Sequence, residues 1–147
     1  MIDNIQFITT NWKHSHQALK QIRTCVFIEE QHVPAELEWD EFDAQSIHFL
    51  VLHDNNPIAT ARLKPDGQIG RMAVIKNYRH KGIGTELLTT VLLQAKINGY
   101  SMVYLHAQKQ AIDFYKQFHF IYNGSEFMDA GITHRAMYKL LNNNNKD

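Results

Sequence analysis

Arg79-His80-Lys81-Gly82-Ile83-Gly84 carries the residue types that hold a phosphate or pyrophosphate. It follows an apolar stretch, Ile69 to Ile75, and opens a long run of helical periodicity. Glycine removes side chains where backbone N–H groups must face a ligand. A helix start adds unsatisfied N–H donors and the positive end of a dipole. Arg79 and Lys81 bring positive charge, so the chemistry open to this loop is anion binding. The same glycines would also serve a plain tight entry into a helix. Spacing excludes two other phosphate sites. No Gly-Lys-Ser/Thr follows a first glycine at P-loop distance. Leu87 stands where a dinucleotide fingerprint needs glycine or alanine, and no acidic residue fits its ribose position.

The elements that must position this loop follow from hydrophobic periodicity. Ile5 to Ile8 predicts a strand and His16 to Glu30 a helix, ended by Val33-Pro34. An acidic, aromatic loop spans Glu36 to Asp43. Ile47 to Leu52 and Ile58 to Leu63 form a hairpin around Asp54-Asn55-Asn56-Pro57. Pro65-Asp66-Gly67 turns the chain into the strand Ile69 to Ile75, where Gly70 marks a bulge or close backbone approach. Ile83, Leu87, Leu88, Val91, Leu92 and Ala95 share one helix face, which Asn98-Gly99 closes. Met102 to Leu105 predicts a central strand and Ala111 to Phe118 a short helix. Phe120 to Tyr122 and Arg135 to Leu140 close the sheet. The result is a mixed α+β domain on one sheet, with Ile69 to Leu105 a right-handed parallel crossover.

As an ordered set, Gly70-Arg71-Met72-Ala73-Val74, Arg79 to Gly84, and Ala111 to Phe120 resemble the GNAT superfamily of acetyl-CoA-dependent N-acetyltransferases. The resemblance runs from Ile47 to Tyr138. Val26 to Pro34 and Asp129 to His134 look like a small bacterial branch of mostly unassigned acceptors. One departure is His119, where the family usually has glycine before the residue at Phe120. The resemblance implies a single, mostly antiparallel sheet flanked by helices, with a central parallel pair splayed near Val74 and Leu105 to admit CoA. Pantetheine would pair with Met72, Ala73 and Val74. The pyrophosphate would rest on the N–H groups of Arg79, His80, Lys81, Gly82, Ile83 and Gly84, and a backbone N–H at the bulge would stabilise the oxyanion. Transfer would be direct, from thioester to amine.

Tyr115 matches the family's tyrosine that protonates the departing thiolate; it also suits a core aromatic beside Phe114 and Phe118. Gln108 matches a polar position near the cofactor, or caps a helix. The attacking amine must be neutral, and a lysine-like amine is so for roughly one part in a few thousand at pH 7. A general base would therefore help. His106, ending the strand beside the cofactor gap, is the candidate; His134 and His48 are others. Each also suits a structural histidine. Glu38, Asp40 and Asp43 would line an acceptor pocket that favours a cationic amine, with Glu38, Asp40 and His134 in contact with substrate. A solvated acidic surface is the other reading of those carboxylates, and of Glu126 and Asp129.

Composition bounds these assignments. The chain has 147 residues, 44% of them apolar, which suits one packed domain over 1–141 with a polar tail at 142–147. Fifteen basic residues balance fifteen acidic ones, which argues against a nucleic-acid partner held by bulk charge. No apolar run approaches membrane-spanning length, and the N-terminus does not read as a signal peptide. Cys25 is the only cysteine, so no intrachain disulfide forms and a cytoplasmic setting is expected; its apolar surroundings suggest a buried, inert thiol. No His-x-x-x-His or Cys-x-x-Cys spacing suggests a metal. A homodimer through an exposed edge is compatible with the pattern. The expected activity is transfer of an acetyl group from acetyl-CoA to a primary amine of a small molecule or peptide. A non-catalytic acetyl-CoA-binding sensor or interaction module is the alternative.

Overall fold

Seven strands form one sheet in the order β1-β2-β3-β4-β5-β7-β6, seen in a computed structural model that describes residues 2–141. The tail expected at 142–147 lies outside the described residues. The strands are β1 (Ile5–Thr10), β2 (Ile47–His53), β3 (Asn56–Leu63), β4 (Gln68–Val74), β5 (Met102–Gln108), β6 (Ile121–Asp129) and β7 (Ile132–Leu140). The helices are α1 (Trp12–Arg23), α2 (Ala35–Glu38), α3 (Ile83–Ile97) and α4 (Ile112–Lys116). Every neighbouring pair is antiparallel except β4 and β5, so the mixed α+β fold with one parallel pair is as expected. Among the described residues no helix is long and apolar enough to cross a membrane.

Helices cover both faces of the sheet. Leu87, Leu88 and Val91 of α3 pack with Val51, Leu63, Ile69, Val103 and Met137 on one side. Leu19 and Ile22 of α1 pack with Val26, Leu50 and Ala73 on the other. Asn11 starts α1 by accepting from the His14 N–H at 2.9 Å, so the helix begins before His16. It then widens into a π-helical segment over Thr24–Glu30. The extra residue per turn shifts the buried face to Val26 and Phe27 and turns Cys25 outward. Cys25 is exposed, which corrects the expectation of a buried thiol.

Two features of β4 place the site. Its pairing with β5 stops after Gln68–Tyr104 and Ile69–Leu105, so the parallel strands part from Gly70 onward. Its register against β3 shifts opposite Thr60 and Arg62, and Arg71 takes a left-handed φ of +49° there. The bulge suggested by Gly70 is present, but the strained residue is Arg71, with glycine beside it. His119 adopts φ +69° and donates its N–H to the Lys116 carbonyl at 2.9 Å. The turn that favours glycine is therefore kept by a histidine.

Candidate active site

The parted strands leave a cleft of about 230 Å³ with the β4 bulge in its wall. Glu38, Arg71, Met72, His106, Gln108, Tyr115, Asp129 and His134 all reach it. Ile75 donates to the Ile58 carbonyl across β3, so the alternating pleat turns the Val74 N–H and C=O toward the open side. The Val74 carbonyl accepts from Arg79 Nε at 2.8 Å, which leaves its N–H available.

Beyond β4 a second cavity, also about 230 Å³, is lined by Val74, Arg79, His80, Gly82, Gly84 and Phe114 among others. The loop enters α3 through left-handed residues, His80 at φ +62° and Gly82 at φ +86°. At the helix start the Glu86 N–H donates to the Gly82 carbonyl at 3.1 Å. The N–H groups of Ile83, Gly84 and Thr85 precede it and have no intrahelical acceptor. Gly82 places no side-chain cap over them. Arg79 differs from its neighbours: its N–H donates to the Lys76 carbonyl at 3.3 Å, and its guanidinium makes a two-pronged pair with Glu30 at 2.7 Å. Hydrogen bonding to Arg79 holds the Glu30 carboxyl below its usual range. Arg79 thus fixes the loop, while Lys81 stands exposed.

Tyr115 projects from α4 with its hydroxyl 3.7 Å from Met72 Sδ. Phe114 and Phe120 pack edge-on against its ring. Burial pushes its pKa up to about 12, so the phenol holds its proton at neutral pH. Gln108 precedes the turn Lys109–Ala111 without capping it; its amide donates to Gln31 Oε1 at 2.8 Å across the cleft.

His106 and His134 share one wall, on neighbouring strands, and both meet the Phe127 ring, His106 edge-on and His134 stacked. Burial lowers the His106 pKa, Asp129 opposes this, and His134 and Lys64 add to it. Lys64 fixes the Gln68 amide through its Oε1, so the amide nitrogen faces His106 Nδ1 at 3.5 Å. His134 Nδ1 lies 2.7 Å from the Ile132 carbonyl. A carbonyl only accepts, so Nδ1 carries a proton, and in the neutral form of the ring the lone pair falls on Nε2. His48 is elsewhere: it is buried, with Nε2 donating to the Asp43 carbonyl at 2.8 Å, and burial lowers its pKa.

The acidic loop is an ion network. Arg23 is fully buried between the rings of Trp12 and Trp39 and binds Glu38 and Asp43 at 2.8 Å. Arg62 pairs with Asp40 and Asp43. Arg71 pairs with Glu38 and Asp40, and donates to the Glu38 carbonyl at 2.8 Å. Burial raises the Glu38 pKa against the pull of Arg71 and Arg23. Burial also acts upward on Asp43, but Arg23 and then Arg62 outweigh it and the result lies below the usual range. Three carboxylates thus meet three guanidinium groups. Glu38 reaches the cleft already paired; Asp40 turns to the arginines and does not line it. Glu126 stands exposed near Lys109. Sequence reading missed Arg23, Arg62 and Arg71 as partners of this loop. Among the described residues no group of three His, Cys, Asp or Glu side chains converges as a metal site requires.

Comparison with known proteins agrees with this geometry. The acetyltransferase (GNAT) domain family matches residues 13–141. The uncharacterized protein YyaT of Bacillus subtilis is 40% identical over 147 residues, covering 96% of this chain and 98% of its own. An acyl-CoA N-acyltransferase from Pseudomonas aeruginosa superposes with a TM-score of 0.84 at 26% identity, covering 92% of this chain and 99% of its own. A GNAT family acetyltransferase from Elizabethkingia anophelis, solved with acetyl-CoA bound, has a TM-score of 0.68 at 17% identity, covering 95% and 99%, and is similar in fold.

Proposed function

Because the chain belongs to the GNAT acetyltransferase family, and is by that membership an acyl-CoA-dependent N-acyltransferase, we propose that it moves an acetyl group from acetyl-CoA directly to a primary amine of a small molecule or peptide. The observation that carries this reading is the parted β4–β5 pair, with an N–H-rich helix start at one end and a protonated tyrosine at the other. The diphosphate rests on the N–H groups from His80 to Gly84, with Arg79 holding the loop in shape. Pantetheine runs along Met72, Ala73 and Val74 as an added strand would. The acetyl carbonyl then lies at the bulge beside Arg71, where a backbone N–H meets the developing oxyanion. The acetyl-CoA-bound fold relative supports acetyl as the donor group.

The amine attacks the thioester carbon, the C–S bond breaks, and the thiolate takes a proton from Tyr115 Oη. The proton lost by the amine goes to a histidine. Partial burial of His106 favours its neutral ring, and the neutral form of His134, with Nδ1–H on the Ile132 carbonyl, has its lone pair on Nε2. Gln108 and Gln31 bridge the cleft above the cofactor strip. A cytoplasmic site of action accords with the exposed, unpaired Cys25. The test is calorimetric titration with acetyl-CoA, followed by thiol release against a panel of primary amines. Saturable binding with amine-dependent thiol release is expected. Binding with no turnover across the panel would favour the sensor, and no binding would remove the assignment.

A further inference from the structure

Most polar groups that line the cleft are already satisfied inside the protein. Glu38 and Arg71 bind each other. Gln31 and Gln108 bind each other, and Gln68 is held between Lys64 and His106. His134 Nδ1 is committed to Ile132. The Asp129 carboxylate differs. Among the described residues it takes part in no hydrogen bond or ion pair, yet it lines the cleft and acts electrostatically on His106. It stands at the end of β6, where Ala130 and Gly131, both at positive φ, turn the chain into β7. The period of the strands puts Asp129, Phe127 and His134 on one face of this hairpin.

A carboxylate is a poor partner for the nitrogen that reacts. An adjacent negative charge favours the ammonium form and raises the pKa that the base must overcome. It is a good partner for a second, non-reacting cation of the same acceptor. We infer that the acceptor is an amine with a second cationic centre, and that Asp129 binds that centre while the reacting nitrogen faces the histidine wall. This rests on the transferase reading above. The arrangement separates the two demands: one end of the acceptor stays charged, and the other loses its proton near His134 Nε2.

The experiment compares 1,4-diaminobutane with n-butylamine as acceptors for acetyl-CoA, in the wild type and in Asp129→Asn, following thiol release. The wild type should favour the diamine by about tenfold in kcat/KM, the advantage expected of one charge-assisted contact. In D129N that preference should fall to within about twofold, through a higher diamine KM at similar kcat. Added salt should erode the wild-type preference and leave D129N unaffected. Equal use of both amines by the wild type, a preference that survives in D129N, or no thiol release with either amine while another primary amine is acetylated would each overturn the inference. Acetyl-CoA binding with no turnover of any primary amine, or loss of acetyl-CoA binding itself, would instead overturn the transferase reading.

Discussion

Gly84→Ala separates folding from cofactor binding. Gly84 lies in the first turn of α3 and lines the cavity over the loop. Its backbone is not left-handed, and an added Cβ would meet Phe114 Cζ at 3.7 Å, an ordinary contact. The protein can therefore accept the methyl group. Alanine removes glycine's entropic penalty in a helix, a gain of about 0.5–1 kcal/mol. For a chain of this size that raises Tm by about 2–4 °C for each kcal/mol. The same methyl would stand in the seat proposed for the diphosphate. Loss of one charge-assisted hydrogen bond, about 1.5–3 kcal/mol, weakens CoA affinity by about tenfold to a hundredfold. Thermal denaturation and titration calorimetry on one preparation read both effects. A variant that melts higher and binds CoA at wild-type strength would remove Gly84 from the diphosphate seat. A variant that melts lower would refute the steric argument. Gly82 offers no such separation, because its φ of +86° makes any side chain there a folding defect.

Tyr115→Phe should lower kcat by about tenfold to a hundredfold while CoA affinity measured by calorimetry stays near wild type; this is the signature of an acid used in the transition state. Arg23→Met should destabilise the protein by about 3–5 kcal/mol in urea denaturation, because Glu38 and Asp43 are left buried without their shared partner. His48 carries a lowered pKa in the fold, so the unfolded chain binds its proton first. Its contribution to stability is complete above the unfolded value of about 6.5 and is lost as pH falls through the lower folded value. His48→Gln should therefore reduce the loss of stability between pH 7.5 and pH 5.5, read as the difference in urea midpoints.

The glycine loop and the helix start after it were legible because they are local. Two glycines, a strand before them and an amphipathic helix after them specify a loop within a short span, and the structure has the corresponding helix start. The parallel β4–β5 pair followed from the same strand–helix–strand order. The acidic segment was not legible. Its partners lie far along the chain, with Arg23 fifteen residues before Glu38 and Arg71 thirty-three after it. Nothing in the run Glu36 to Asp43 distinguishes a paired carboxylate from a solvated one. The single helix expected from His16 to Glu30 became a helix and a π-helical segment because widening changes the face without changing composition. That shift exposed Cys25. The closing strands were longer than the apolar pattern suggested, since β6 is almost wholly exposed and carries little hydrophobic signal.

The three arginines and three carboxylates also divide the cleft into a part that can vary and a part that cannot. Replacing Glu38 or Asp40 to suit a different acceptor would disturb Arg71, and with it the conformation of the bulge proposed to face the donor's acetyl carbonyl. Asp129 bears no such obligation, because among the described residues its carboxylate takes part in no hydrogen bond or ion pair. Directed changes of acceptor preference should therefore succeed at position 129 and fail at Glu38 and Asp40, for reasons of wiring rather than distance from the reacting atoms.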